Sequence, residues 1–300
     1  MKKMLCLLLC AVMLMSVGCA KQDSPVGENT LLKDEGKTLK LLAITSSFGV
    51  NTTQFLYDIA KAEGCTDVVV GRLYFGACSL ERHVKNANSN NPEYTYYKNN
   101  SGEWITKEGV AMLEGLQDED WDIIFIQQSA AKAALVDTYE DYIDQLITYV
   151  NANKTNPDAK FIWNMTWAYQ GDSQQEVFVE NFGSDQMAMY QAIVDTTKEK
   201  VVPREDIAAI IPSGTAIQNA RTSYFGDILT EDTYHLSELG KVIAGYTLYS
   251  VLTDKPLETI SLTRVSGGLE LTDSNKEVII DAVNNAIKTP FEVTQSAYPD

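Results

Sequence analysis

Histidine is almost missing from this 300-residue chain, which contains only His83 and His235. A mechanism that needs an imidazole base therefore has two candidates. No cluster of His, Cys or carboxylate residues at metal-binding spacing accompanies them, so no zinc or iron centre is expected. No glycine-rich loop follows an apolar run, which argues against a phosphate cradle. No motif asks for any other cofactor. Positive charge is also short: 24 Lys and Arg stand against 41 Asp and Glu, for a formal net charge of −17. Such a surface repels phosphate backbones and anionic headgroups, which excludes nucleic acid as an expected partner.

Cysteine is scarce as well. Of the five, Cys6, Cys10 and Cys19 lie in the N-terminal segment, which leaves Cys65 and Cys78. Two are too few for a disulfide framework. They flank one expected strand of about seven residues, whose length holds their Cα atoms too far apart to bridge. The expectation is two free, buried thiols.

Long apolar runs are confined to the start. Lys2 and Lys3 precede the apolar stretch Leu5 to Val17, which is too short to span a membrane as a mature helix. It reads as a processing signal and stays outside the fold. Gly18 stands directly before Cys19, and a polar run from Ala20 to Glu28 follows. A small residue before a cysteine resembles the bacterial lipobox, with Ser16 where Leu is usual. That resemblance implies diacylation of Cys19 and an exported protein anchored in the bacterial cell envelope, on the periplasmic or surface face of the outer membrane. The alternative is an ordinary secretory signal with a chance cysteine, which exports the chain equally. Residues 1–18 thus read as a signal peptide, 19–37 as a tether and 38–300 as one domain, with its core at 38–253.

Within that domain, apolar runs alternate with helical periodicities. The runs are Leu39 to Ile44, Val68 to Leu73, Trp121 to Ile126, Lys160 to Met165 and Ile207 to Ile211. A helix with Phe55, Leu56, Ile59 and Ala60 on one side follows the first, with Asn51 or Thr52 as its cap. Strands that are apolar throughout, rather than alternating, belong to a parallel sheet covered on both faces. The expected architecture is a three-layer α/β/α, flavodoxin-like fold with about five strands, and ligands at their carboxyl ends. Tyr94 to Lys98 and Trp104 to Lys107 flank Asn99-Asn100-Ser101-Gly102 as an inserted hairpin. Its tyrosines Tyr94, Tyr96 and Tyr97 either form a lid or cover a sheet edge. Ser274 and Glu277 read as the capping box of a docking helix over 272–288.

The first strand runs into Thr45-Ser46-Ser47. Near the other end of the core, Asp232-Thr233-Tyr234-His235 precedes a helix that Ser237 can cap. An aspartate three residues before a histidine can fix the imidazole tautomer, leaving the second ring nitrogen to activate a serine. In these features the chain resembles the SGNH, or GDSL-type, hydrolases, which carry Ser after the first strand and Asp-x-x-His before the last helix. Gly76 after the second strand and Pro212-Ser213-Gly214-Thr215-Ala216 after the fifth extend the match over about residues 38–253. Cys78-Ser79-Leu80-Glu81, Gln127-Gln128 and Met165 to Tyr169 look like a lipoprotein branch from gut anaerobes.

The resemblance implies an SGNH hydrolase fold and a serine esterase that removes acyl groups, such as acetyl, from a glycan or another small ester. Ser47 would be the nucleophile, His235 the base and then the acid, and Asp232 its orienting partner. The oxyanion hole would take the N–H groups of Ser47 and Gly76 and a side-chain amide, here Gln127 or Gln128 in place of the usual Asn. Thr45 and Ser46 replace the usual Gly-Asp or Gly-Asn. These departures favour a second reading, a decayed hydrolase fold that binds a glycan or an envelope partner; the intact Ser, Asp and His oppose it. His83, in Glu81-Arg82-His83, reads as a loop residue or else a substrate contact. Trp167 and Tyr169 lie past a strand end, either packed in the core or free to stack on a sugar ring.

Overall fold

The structure is a computed structural model describing residues 30–299. The signal peptide, Cys19 and most of the tether lie outside the described residues. Seven strands form one sheet: β1 (Thr38–Thr45), β2 (Asp67–Tyr74), β3 (Tyr94–Asn99), β4 (Trp104–Val110), β5 (Ile123–Ile126), β6 (Lys160–Asn164) and β7 (Ile207–Ile211). Their order is β4-β3-β2-β1-β5-β6-β7. The five apolar runs pair in parallel as β2-β1-β5-β6-β7, the flavodoxin-like order. The hairpin β3–β4 extends the sheet antiparallel beyond β2. Its tyrosines therefore cover a sheet edge and form no lid.

The five parallel strands are largely apolar on both sides because both sides are packed. Leu39, Leu41, Leu42, Ala43 and Ile44 are all fully buried. Helices α1 (Ser47–Thr53) and α2 (Leu56–Ala62) cover one face. Helices α3 (Leu80–Asn88), α4 (Met112–Leu116) and α5 (Tyr142–Asn153) pack together elsewhere. The alternation along β2 separates the two layers: Arg72 reaches Thr53 of α1, whereas Leu73 lies against Gly115 of α4. Further along the chain follow α6 (Glu176–Phe182), α7 (Gln186–Lys200), α8 (Ser213–Arg221), α9 (Glu238–Thr253) and α10 (Asp273–Lys288). The last docks on α8 and α9 through the buried Val278, Ile279, Ala282, Val283 and Ala286.

Three local expectations are corrected. The first helix starts at Ser47, not after Asn51, and breaks before α2. Asn51 and Thr52 do not cap it because their side chains bond elsewhere, to the backbone N–H of Leu236 and to Phe48 and Asn164. Helix α10 is capped by Thr272, whose hydroxyl accepts from the Asn275 N–H at 3.2 Å, and not by Ser274. The last residues of the presumed tether belong to the fold, since Leu32 is buried and the Leu31 N–H donates to the Leu252 carbonyl at 2.8 Å. Cys65 and Cys78 are both free and buried, as expected. Among the described residues no helix is long and apolar enough to cross a membrane.

Candidate active site

Ser46 is extended (φ −103°, ψ −167°) and Ser47 is the first residue of α1, so the chain turns from β1 straight into a helix. Gly49 permits that turn. A Cβ there would lie 1.9 Å from Thr45 Oγ1 and 2.9 Å from the Phe125 ring, closer than any side chain tolerates. Ser47 is left half-buried at the carboxyl end of β1, where the strand order reverses.

The loop before α9 comes to meet it. Asp232 Oδ2 accepts from His235 Nδ1 at 2.6 Å, and His235 Nε2 lies 2.8 Å from Ser47 Oγ. Asp232 Oδ1 also accepts the backbone N–H of His235 at 2.7 Å and of Tyr234 at 3.3 Å. Burial works against the Asp232 carboxylate, but the His235 ring and these N–H groups outweigh it and hold the carboxyl below its ordinary range. An ionised Asp232 places the ring proton on Nδ1 and leaves Nε2 free to accept from the serine.

Neighbouring elements fix the loop. The Gln170 N–H donates to the Thr233 carbonyl at 2.8 Å, and the Trp167 indole N–H to the Tyr234 carbonyl at 2.8 Å. The Leu236 N–H donates to Asn51 Oδ1 at 2.9 Å. Phe48, next to the serine, stacks on Trp167 at 4.1 Å and meets His235 edge-on at 5.9 Å. Trp167 and Tyr169 are thus buried supports beneath the histidine loop, and the sugar-stacking expectation for them is corrected.

A second polar set lies below the serine. Gln127 Nε2 donates to Ser46 Oγ at 3.3 Å, Asn164 Nδ2 to Gln127 Oε1 at 2.9 Å, and Ser213 Oγ to Asn164 Oδ1 at 2.7 Å. All four are buried, and each sits at the carboxyl end of a different strand, β1, β5, β6 or β7. Nothing in the sequence marks Asn164 beyond its place at the end of an apolar run. Gln128 is turned away: it donates to the Thr138 carbonyl and accepts from the N–H groups of Leu80 and Ser129. It fixes the start of α3, and an oxyanion role for it is corrected. The Ser47 and Gly76 N–H groups bond to no other backbone group among the described residues, and Gly76 is exposed.

His83 stands apart from this site. It is not a loop residue but lies on α3, because Ser79 caps that helix. Its ring is buried, stacks on Tyr94 and bonds through Nδ1 to the Tyr94 hydroxyl at 3.0 Å. Burial pushes its pKa down to about 3, so it is neutral and unavailable to substrate. Among the described residues no group of His, Cys, Asp and Glu forms a metal site. Two concavities, one lined by Lys37, Glu63 and Tyr249 and one by Lys33, Asp67 and Asp122, sit at the amino ends of the strands, away from Ser47.

Comparison with known proteins adds a family. No curated protein matches. A crystal structure of a DUF4886 family protein from Bacteroides uniformis ATCC 8492 is 35% identical, with a TM-score of 0.78 over 86% of this chain and 98% of that one. Two structures of lower similarity are a presumed SGNH hydrolase from Slackia heliotrinireducens and a presumed GDSL-like lipase from Parabacteroides merdae ATCC 43184. The first is 16% identical (TM-score 0.46, 72% of this chain, 99% of that chain). The second is 9% identical (TM-score 0.44, 73% and 98%). Residues 40–264 match the family described as Domain of unknown function (DUF4886), and to that family this chain belongs.

Proposed function

We propose that this chain is a serine hydrolase of the SGNH type that cleaves esters with Ser47, His235 and Asp232. The observation that carries the reading is the continuous chain of short contacts, 2.6 Å from Asp232 to His235 and 2.8 Å from His235 to Ser47. Ser47 Oγ attacks the ester carbonyl as His235 Nε2 takes its proton. The carbonyl oxygen becomes an oxyanion facing the N–H groups of Ser47 and Gly76. The tetrahedral adduct collapses, the C–O bond breaks, and His235 returns the proton to the departing alcohol. Water then attacks the acyl-serine by the same route in reverse and releases the acid.

The substrate we propose is an acyl ester, with acetyl as the acyl group and a glycan as the alcohol. The setting we propose is the bacterial cell envelope, through a lipid on Cys19. A glycan-binding protein with a weak triad is the second reading. It is favoured by Gln127, whose amide is turned inward to Ser46 and so leaves the oxyanion to backbone donors. Loss of one such donor lowers rate by about 10²–10³ in a known case.

The test is hydrolysis of p-nitrophenyl acetate by the chain lacking residues 1–20, beside Ser47→Ala and His235→Ala. Turnover by the parent, with both variants folded and at background, supports the hydrolase. Equal inertness of all three on several acyl esters would sink it and leave the binding reading.

A further inference from the structure

The face of the hairpin beside the triad is built from aromatic rings. Tyr74 ends β2 and pairs in register with Thr45, two residues before Ser47. Its hydroxyl lies 3.5 Å from where a Cβ would stand on Gly76. Tyr97 of β3 follows, with ring centroids 6.2 Å apart. Trp104 of β4 comes next. Cross-strand pairing of Arg72 with Tyr97 and of Asn99 with Trp104 places Tyr74, Tyr97 and Trp104 on one face of the sheet. No helix buries these rings as Phe48 and Trp167 are buried; all three remain half-exposed.

Arg72 lies beneath them. It is buried, and its guanidinium sits 3.6 Å from the Trp104 ring centroid. It donates to Thr53 Oγ1 at 2.8 Å and to Gln54 Oε1 at 3.3 Å, and its Nη2 has no partner. Among the described residues no carboxylate pairs with it, although the chain has a large excess of acids. A buried cation without a counter-ion is costly to keep. Here it holds the indole by one face and fixes the plane of the ring.

We propose that Tyr74, Tyr97 and Trp104 form a sugar-binding platform that takes the alcohol side of a glycan ester cleaved at Ser47. This rests on the hydrolase reading for its orientation and on the hairpin face for its chemistry. Two strand spacings, about 10 Å, separate β2 from β4, and Trp104 lies level with Val70, about 13 Å back along the strand from Tyr74. The rings therefore run diagonally away from the serine over about 16 Å, room for a short oligosaccharide. Sugar rings present apolar C–H faces to aromatic rings and hydroxyls to polar neighbours. The platform offers both, since Thr95, Thr106 and Glu108 share the face with the rings. A lipid chain would need a continuous apolar groove, which these polar residues interrupt. The net charge of −17 disfavours a polyanion.

The test separates the platform from catalysis. Xylohexaose, cellohexaose, chitohexaose and maltohexaose are titrated by calorimetry into the Ser47→Ala chain, alone and combined with Tyr97→Ala, Tyr97→Phe or Trp104→Ala. The expected result is binding of at least one saccharide, weakened about tenfold by Tyr97→Ala and restored by Tyr97→Phe. In the parent background, Tyr97→Ala should raise KM on an acetylated hexasaccharide more than on p-nitrophenyl acetate. Trp104→Ala uncovers Arg72 and costs stability, so the deciding variant is Tyr97→Ala, which leaves that pair in place. Ester turnover by the parent, with no saccharide bound or no effect of Tyr97→Ala, overturns the platform and leaves the hydrolase standing. Saccharide binding lost in Tyr97→Ala, with no ester cleaved, upholds the platform and removes the hydrolase.

Discussion

Trp167 donates its indole N–H to the carbonyl of Tyr234 across 2.8 Å. The bond joins the loop after β6 to the residue directly before His235, and its ring lies flat on Phe48, directly after Ser47. One side chain therefore sets both halves of the Ser47–His235 contact. Trp167→Phe keeps a flat ring and loses the bond, leaving a backbone carbonyl short of a donor at a cost of about 1 kcal/mol. Thermal melts should shift by about 2–4 °C, while kcat on p-nitrophenyl acetate falls about tenfold through loss of alignment. Trp167→Ala should cost roughly 3–5 kcal/mol. Unchanged kcat in Trp167→Phe would show that the bond does not position His235.

The chain Ser46–Gln127–Asn164–Ser213 crosses the ends of four strands in a buried layer. Gln127→Leu removes the middle link, strands the Ser46 hydroxyl away from water and leaves the Asn164 amide only its bond to Thr52. Each group left so costs roughly 1–3 kcal/mol. Urea denaturation should show a loss of that order, with kcat on p-nitrophenyl acetate lowered because Ser46 directly precedes Ser47. A variant as stable as the parent would mean that ordered water already satisfies these groups.

Acid should weaken the fold through His83. Its folded pKa is pushed down by burial to about 3, below the unfolded value of about 6.5. The stability tied to the neutral ring is complete above about pH 6.5 and is lost progressively as pH falls toward 3. The unfolded state binds the proton first in that window, so stability rises with pH there by at most about 1.4 kcal/mol per unit. His83→Gln should flatten the profile of unfolding free energy between pH 6 and 4. An unaltered slope would assign the acid loss to other groups.

Cys65 and Cys78 should resist thiol reagents in the native chain. Burial raises both thiols, Cys78 to about 12, and thiolate is the reactive form. The chain without residues 1–20 should give no release of thionitrobenzoate at pH 8 until denaturant is added, then two equivalents. Prompt native labelling of either would contradict this burial.

Much of the fold was legible because parallel strands are continuously apolar. Ile207 to Ile211 was bounded correctly at both ends, and Ser237 caps α9 as its type suggested. The positions of Ser47, Asp232 and His235 could be read because two sit in a fixed local spacing and the third follows the first strand. What failed was decided by distant partners. Asn51 has the chemistry of a cap, but Leu236, 185 positions away, takes its oxygen. Trp167 lies past a strand end and still vanishes into the interior, because the loop that carries it folds back under Phe48. Gln127 and Gln128 are adjacent and alike, and only their different partners reveal that one serves Ser46 and the other α3.

On the proposed hydrolase function, the 188 positions between Ser47 and His235 would make ester turnover a clock for refolding. The turn that carries Ser47 needs only β1 and its neighbours, whereas His235 arrives with the loop that follows β7 and α8. Contacts so far apart in sequence form slowly, since a long chain closure precedes them. Recovery of ester turnover should trail the return of helical circular dichroism, and a phosphonate that traps only an activated serine would count the molecules whose sheet is fully closed.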